Sequence, residues 1–340
     1  MKDIKRLIPG FLISIVLIAA ILYFVDFKVM AEAVRKADYR LVAASAVLSF
    51  LWMFNRAKVW QTLLRDKARY IDVLFAASEG YLLNAFLPFR LGEVGRAFLL
   101  SRKSGMAFSE ILPTIIIERV VDLAFSAAIL LAALPYLANS QGSERISYIV
   151  GAVVIVGLLM MYLLARNNQW ALDVFHKLSS RWVFLQRFGG SFLESFLNGL
   201  GVLTNGWLFV RFLFWMTLNW IVALAAYYLI TLAFFPQARP EWTLAILGAA
   251  AFGGAIPALP GAVGTFEGAV SAVLFLFTGD QSTSLAVALA ARLYNYLNSG
   301  VLGGIGLMRE GQTLSGVYQQ LRSMRSSGTP QEETGHVPPL

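Results

Sequence analysis

The first candidates for chemistry in this sequence are charged side chains in an otherwise apolar stretch that ends at Arg96. Arg90 and Arg96 flank Glu93, and a guanidinium group can bind a phosphate through two parallel hydrogen bonds. Pro88 and Gly92 lie in the same stretch, and both residue types disfavour a continuous helix. The backbone N–H groups at the start of a new helix add to the attraction for an anion. These residues therefore predict a site for an anionic group such as a phosphate.

A second stretch repeats these features near residue 260. Leu87–Gly92 and Leu259–Gly264 share the order Leu-Pro, two further residues, an aliphatic residue and Gly, and a glutamate follows each. The residues expected to break the two helices are Pro88, Gly92, Pro257, Pro260, Gly261 and Gly264. Interrupted apolar segments at matching places are the best indication in a sequence of a transport site in a membrane.

Further charged residues follow each break at predicted membrane depth. Glu118 and Asp122 are four residues apart and share one helix face, with Arg119 between them. Each charge costs about 2.5–3.5 kcal/mol at the centre of a membrane helix, so it should face a cavity or a partner. The candidate substrate-binding residues are Asn84, Arg90, Glu93, Arg96, Glu118, Arg119, Asp122, Glu267 and Arg292.

Structural alternatives stay open for some of these charges. Arg119 and Asp122, three residues apart, could neutralise each other in a salt bridge that only stabilises the bundle. Glu267 could bind a proton or a cation, or it could be the partner of Arg292. Arg56 is expected to be an interface anchor whose long side chain reaches toward the membrane surface.

Composition indicates a polytopic helical membrane protein. Of the 340 residues, 58% are hydrophobic and 14% are charged, whereas soluble domains have about 45–50% apolar and 25% charged residues. The net charge is +8, but the basic residues lie in loops between apolar spans, as orientation signals and headgroup contacts do. No nucleic-acid partner is predicted. Because the sequence has no cysteine, it excludes disulfides and thiolate chemistry.

Common catalytic motifs are missing from the sequence. It has no Gly-rich phosphate loop of nucleotide-driven motors and no Asp-x-Asp pair for a nucleotide-sugar metal site. His176 and His336 lie outside the predicted spans, which excludes a zinc cluster and a buried Ser-His-Asp set. We therefore expect no catalytic residues, no metal and no cofactor.

Apolar runs predict an all-α bundle with about six full crossings and two broken hairpins. The crossings are predicted at 8–25, 41–64, 111–134, 146–165, 207–235 and 284–308. The hairpins, at 71–100 and 243–279, are predicted to be re-entrant, the first from the cytoplasm and the second from outside. Surface-lying helices are predicted at 26–40 and 166–205. Residues 1–310 would form the membrane domain, and 311–340 a disordered cytoplasmic tail.

The two broken segments extend into a weak internal repeat. Arg119 and Arg292 follow Pro88 and Pro260 at nearly the same distance. Hairpins that open from opposite faces would make the two halves inverted copies, with a binding site where the tips meet near mid-membrane. The chain is predicted to be a multi-pass protein of the cell inner membrane with both ends in the cytoplasm.

Taken together, these residues resemble the signature of the lysylphosphatidylglycerol synthase transmembrane (flippase-like) family, which includes the membrane half of the multiple peptide resistance factor. The positions that carry the resemblance include Leu87-Pro88, Gly92-Glu93, Glu118-Arg119, Leu259-Pro260-Gly261 and Arg292. The resemblance implies movement of aminoacylated phosphatidylglycerol, or of polyprenyl-phosphate-linked lipids, between leaflets. Bifunctional members also carry a soluble aminoacyl-transferase domain that this sequence lacks, so lipid synthesis is not expected.

The sequence therefore predicts a lipid translocator rather than an enzyme. The arginines expected to engage the lipid phosphate are Arg90, Arg96, Arg119 and Arg292. One alternative is a membrane-embedded transferase acting on polyprenyl-phosphate sugars, with Glu93 or Glu267 as base. Another is a non-catalytic subunit that holds a lipid for a synthase. The expected partners are the lipid, the membrane, and either a second copy of the chain or a lipid-synthesis enzyme.

Overall fold

The computed structural model describes residues 25–87, 90–137, 205–255 and 260–312, with isolated positions at 152, 156, 163, 166, 167, 316, 317 and 319. All regular elements within these residues are helical, which confirms the all-α fold. The helices are α1 Phe27–Lys36, α2 Tyr39–Leu63, α3 Tyr70–Phe86, α4 Leu91–Ser104, α5 Phe108–Leu137, α6 Gly206–Phe234, α7 Pro240–Ala255, α8 Thr265–Thr278 and α9 Gln281–Arg309. The crossings predicted at 8–25 and 146–165, the surface helices at 166–205, Pro88 and Pro257 lie entirely or almost entirely outside the described residues.

Helix α6 is, among the described helices, the one that is long and apolar enough to cross a membrane by itself. Helices α1 and α2 pass the same test only as a pair, and they are bent by 85° at the break between them. Helices α5 and α9 have 30 and 29 residues, or about 45 Å of helix, which suffices to cross a bilayer. Charged residues interrupt their apolar character, so the number of crossings stays a prediction.

Helices α3 and α4 form an antiparallel pair, hairpin A. The pair closes because Gly92 packs against the backbone of Gly80, where a Cβ would overlap the carbonyl oxygen. Gly92, which was predicted to break the helix, thus lies inside the first turn of α4. Its role is to let α3 and α4 approach each other closely. The break itself runs from Leu87, which ends α3, to Arg90, which precedes α4.

Helices α7 and α8 form a second antiparallel pair, hairpin B. The ring of Trp242 in α7 stacks on that of Phe277 in α8, with centroids 5.3 Å apart. A short 3-10 turn at Pro260–Ala262 follows α7. Gly261 and Gly264 have φ angles of 71° and 90°, a region that glycine enters without steric cost. These two glycines therefore occupy the break, as the sequence predicted.

The two hairpins pack among the long helices. Helix α9 lies along α3, where Gly303 and Gly306 leave room for the Ser78 carbonyl and the Glu79 carboxylate. Helix α6 packs along α2, and α5 packs against α7. Val317 is fully buried beside Leu83 of hairpin A, so at this position the stretch predicted as a disordered tail is packed.

Candidate functional site at the junction of the hairpin tips

The tips of hairpins A and B touch each other. Arg90 donates a hydrogen bond to the carbonyl oxygen of Gly254. On the other side of the contact, a Cβ built on Gly261 would lie 3.3 Å from the carbonyl oxygen of Ala85. The two breaks, far apart in the sequence, therefore lie together at what we refer to as the tip junction.

Arg90 is the exposed cation of the tip junction. It precedes α4 in the left-handed conformation, with φ 53° and ψ 37°, which costs a residue with a Cβ about 1–2 kcal/mol. Among the described residues no carboxylate pairs with its guanidinium, which bonds the Gly254 carbonyl. Backbone strain of this kind concentrates at functional sites. Arg90 is therefore the direct candidate for an anionic ligand.

Behind Arg90, two further arginines bind carboxylates of α4 and α5. Arg96 lies 2.9 Å from Glu93 and 3.2 Å from Glu118. Arg119 lies 2.5 Å from Glu93 and 3.4 Å from Asp122. The pair of Arg119 and Asp122, left open by the sequence, is thus present but belongs to a larger network.

Arg56 joins this network from α2. Its guanidinium contacts both Glu118 and Asp122, and the residue is 1% exposed. The prediction that Arg56 is an interface anchor is wrong, because two carboxylates inside the bundle compensate its charge and allow it to be buried. We refer to the whole network as the charged cluster, which consists of Arg56, Glu93, Arg96, Glu118, Arg119 and Asp122.

Asn84 positions the start of α4 within the charged cluster. Its side-chain oxygen accepts a hydrogen bond of 2.8 Å from the backbone N–H of Gly92. Its side-chain nitrogen donates to Glu93 across 3.5 Å. From α3, Tyr81 accepts a bond of 3.4 Å from Arg119. Asn84 therefore orients Glu93 of hairpin A, and Tyr81 orients Arg119 of α5, so both side chains position charged groups of the cluster.

A separate clamp holds the tip of hairpin B. Arg292 on α9 donates a hydrogen bond of 2.9 Å to Glu267, and its Nε lies 2.6 Å from the other carboxylate oxygen in an ion pair. The same guanidinium donates to the carbonyl oxygens of Gly261 and Ala262 in the turn. Glu267 in turn accepts from the backbone N–H of Gly264 at 2.9 Å. Of the two roles that the sequence left open, this structure therefore displays Glu267 as the partner of Arg292.

One ion pair recurs in both halves of the chain. Glu93 and Glu267 are each the third residue of the helix that follows a break. Each binds an arginine of the next helix, Arg119 at 2.5 Å and Arg292 at 2.6 Å. This recurrence supports the internal repeat, while the inverted orientation of the two halves stays a prediction.

Positive charge is in excess around the tip junction. The charged cluster has three arginines and three carboxylates, and the clamp of Arg292 and Glu267 is balanced. Arg90 is then an uncompensated cation among the described residues. Helices α4 and α8 both begin near the junction, and their N-terminal ends add partial positive charge. The arrangement can therefore hold one anionic group.

An ion-pair network at the far end of hairpin A was missed by the sequence analysis. Glu79 is fully buried and lies 2.9 Å from Lys103, which also contacts Glu310 at the end of α9. The rule that singled out Arg90 would have found Glu79 too, because Glu79 is a charge inside an apolar helix. Within the described ranges, no three His, Cys, Asp or Glu side chains converge as metal ligands.

Comparisons with known proteins give one family. The model of the family described as "Lysylphosphatidylglycerol synthase TM region" matches residues 8–303. "Glycosyltransferase AglD" of Haloferax volcanii is 23% identical over an alignment of 344 positions that covers 89% of this chain and 54% of that protein. This chain thus spans about half the length of that relative. A "UPF0104 membrane protein" of Methanothermobacter thermautotrophicus is 23% identical over 311 residues, covering 87% of this chain and 91% of that protein. No solved structure matches.

Proposed function

This chain belongs to the lysylphosphatidylglycerol synthase TM region family, and we propose that it is a lipid translocator. Its substrate would be an anionic or aminoacylated phospholipid, or a polyprenyl-phosphate-linked lipid, whose headgroup passes the tip junction while its chains stay in the bilayer. The observation that carries the proposal is Arg90, an exposed arginine at the tip junction with no carboxylate partner among the described residues. A site lined by helix N-termini and one guanidinium without a carboxylate partner fits a phosphate.

Arg90 would couple phosphate binding to movement of the hairpins. Its guanidinium bonds the carbonyl of Gly254 and so connects hairpin A to hairpin B. A phosphate competes for the same donors with a full negative charge, and charge-assisted bonds are stronger than neutral ones. A headgroup that binds Arg90 would therefore favour a state in which the two tips separate.

The other arginines would position the tip junction or contact the headgroup at a later stage. Arg96 is 1% exposed and enclosed by Glu93 and Glu118, so we assign it to positioning rather than to direct phosphate binding. Arg119, whose side chain is 28% exposed, and Arg292, at 11%, lie nearer the surface and could contact the headgroup after the tips separate.

The orientation in the membrane is also part of the proposal. Lys103 contacts Glu310, so the ends of α4 and α9 lie together with their basic residues. The positive-inside rule assigns this end, and both chain ends, to the cytoplasm of a cell inner membrane. Reporter tags at Gln237 and Gly279, next to the stacked ends of hairpin B, should both be found outside. Detection of the two tags on opposite faces would refute this topology.

A vesicle assay tests the translocator. The purified chain is reconstituted with fluorescent phosphatidylglycerol, and transfer is followed by quenching of the label in the outer leaflet. Arg90→Gln should lower the rate about 10- to 100-fold, since a hydrogen bond to a charged group is worth about 1.5–3 kcal/mol. Arg211→Gln is the matched control, because Arg211 pairs with Asp66 away from the tip junction. Equal rates for Arg90→Gln and the control would reject the role of Arg90.

A transferase that acts on polyprenyl-phosphate sugars is the second candidate. The observation in its favour is the similarity to a protein named "Glycosyltransferase AglD", of which this chain spans 54%. Incubation of the purified chain with a radiolabelled polyprenyl-phosphate sugar and an acceptor lipid distinguishes the two. Formation of a new labelled product would favour the transferase, whereas unchanged lipid that only moves between leaflets would favour the translocator.

A further inference from the structure

A small cleft lies at the end of hairpin B that is remote from the tip junction. Its volume is about 180 Å³, and it is lined by Tyr136, Arg239, Glu241, Trp242 and Phe277. These residues come from the end of α5, the connection between α6 and α7, the first turn of α7 and the end of α8. The ten residues of α8 that separate this cleft from the clamp at the tip correspond to about 15 Å of helix. The cleft is therefore distinct from the tip junction.

Aromatic rings form one side of the cleft. Trp242 and Phe277 stack with an interplanar angle of 9°, so their edges and outer faces make a flat apolar surface. Tyr136 contributes a third ring and is 54% exposed. Aromatic side chains can present large apolar faces together with polar edges that take hydrogen bonds. A ligand with one apolar face and a polar rim fits this surface.

Two opposite charges complete the lining. Arg239 is exposed and forms no ion pair among the described residues. One carboxylate oxygen of Glu241 is enclosed and, within the described part of the chain, has no hydrogen-bond donor. An enclosed acceptor without a donor costs about 1–3 kcal/mol. A hydroxyl group of a ligand would remove this cost.

The pairing of charges selects the chemical class of the ligand. A cationic headgroup would be attracted by Glu241 but repelled by Arg239, and a phosphate would be attracted by Arg239 but repelled by Glu241, so a singly charged group gains little from this pair. A polyol satisfies both, because its hydroxyl groups donate to the carboxylate and accept from the guanidinium. The cleft is also smaller than the pockets of about 300–1,000 Å³ that bind drug-sized ligands. We propose that the cleft binds one sugar ring, stacked on the aromatic side, of a lipid-linked saccharide.

The sugar-binding part of this proposal stands by itself, whereas the lipid-linked part rests on the proposed translocator function. In the proposed orientation, the cleft lies at the outer surface, at the opposite end of α6 from the contact between Arg211 and Asp66. A saccharide that has passed the tip junction would meet the cleft there. Aromatic residues at this level could instead form only the usual belt at the membrane interface, and the experiment separates the two.

Ligand-observed NMR on the full chain in detergent micelles tests the sugar site. The probes are methyl β-glucoside, methyl α-mannoside and N-acetylglucosamine, with inorganic phosphate and lysine methyl ester as charged probes. At least one glycoside should saturate with a millimolar dissociation constant, and Glu241→Gln and Arg239→Gln should each weaken it about tenfold. Trp207→Phe is the control, because Trp207 is 72% exposed at the other end of α6. If the aromatic residues of the cleft form only an interface belt, this substitution should change glycoside binding as much as those in the cleft.

Several outcomes would overturn the proposal. One is the absence of saturable binding by all three glycosides; another is equal binding by the wild type and the Glu241→Gln and Arg239→Gln variants. Saturation by a charged probe in place of the glycosides would reject the assignment to a polyol. A polyprenyl-phosphate glucoside should compete about tenfold more strongly than methyl β-glucoside, and equal competition would reject the lipid-linked part alone.

The two proposals fail separately. Glycoside binding is measured in micelles and needs no transfer, whereas the vesicle assay needs no sugar. If wild-type protein binds a glycoside but moves no lipid, the sugar site is supported and the translocator function is rejected. If lipid transfer depends on Arg90 while no glycoside binds, the translocator function is supported and the sugar site is rejected.

Discussion

Replacement of Arg96 by methionine should destabilise the protein, because Arg96 is buried and shared by two carboxylates. The residue is 1% exposed, and its guanidinium lies between Glu93 and Glu118. In the charged cluster, Arg96→Met leaves two arginines facing three carboxylates. Removal of one partner of a buried ion pair costs about 3–5 kcal/mol, since the remaining charge stays buried without compensation.

A second substitution restores the balance. Arg96→Met combined with Glu118→Gln leaves two arginines and two carboxylates. The double variant should therefore be more stable than the sum of the single effects indicates, by a coupling of about 0.5–3 kcal/mol. The fold should recover in part even though two polar contacts are lost.

Unfolding in mixed micelles, followed by tryptophan fluorescence, measures these effects. The guanidinium of Arg96 lies 4.7 Å from the ring centroid of the buried Trp60, so one of the eight tryptophans of the chain lies at the substituted site. Lys36→Met is the control, because the pair of Lys36 and Glu32 is largely exposed and should contribute only about 0–1 kcal/mol. If Arg96→Met costs no more than Lys36→Met, or if the double variant shows no coupling, the closed network is refuted.

Three further predictions concern the hairpins. Gly92→Ala should cost about 1–3 kcal/mol in unfolding experiments, because its methyl group would overlap the other helix of hairpin A; Gly300→Ala, which has open space, should cost nothing, and equal effects would contradict the packing. Arg292→Lys should lower lipid transfer roughly tenfold although the charge remains, since an ammonium is a point charge without the planar fork whose separate nitrogens bind Glu267 and the two turn carbonyls; wild-type transfer would reject the clamp. Ala262→Gly should raise the free energy of unfolding by up to about 1 kcal/mol, because residue 262 has φ 55°, which glycine adopts without strain; a lower free energy of unfolding would contradict this.

The helix breaks could be predicted from the sequence because local chemistry dictates them. Gly261 and Gly264 lie at positive φ in the second break, where other residues are strained. Gly92 shows the limit of this logic. It lies in an intact helix, and it is needed there because another helix touches it, which depends on tertiary packing and not on local propensity.

The partners of the charges could be predicted only where they are close in the sequence. The pair of Arg119 and Asp122 follows from helical spacing. The burial of Arg56 does not, because its partners lie on α5, more than sixty positions along the chain. A single arginine near the end of an apolar run has the same local sequence whether it reaches the membrane surface or a buried carboxylate.

The recurring ion pair could be predicted only in part. It joins Glu93 to Arg119 in one half and Glu267 to Arg292 in the other. The sequence indicated the two arginines as equivalent, since both follow a Leu-Pro break at a similar distance. It left the role of Glu267 open between a proton or cation site and the partner of Arg292. In the structure Glu267 pairs with Arg292 and also accepts a hydrogen bond from the backbone N–H of Gly264, which spacing alone did not indicate.

Retention of phospholipid by the purified protein tests the central claim, that Arg90 is the phosphate ligand at the tip junction. Native mass spectrometry would compare the wild type, Arg90→Gln and Arg211→Gln after the same delipidation. We predict that the wild type and Arg211→Gln retain one phospholipid per chain and that Arg90→Gln loses it, with unchanged unfolding. Retention of the same lipid by Arg90→Gln at the wild-type level would contradict the claim.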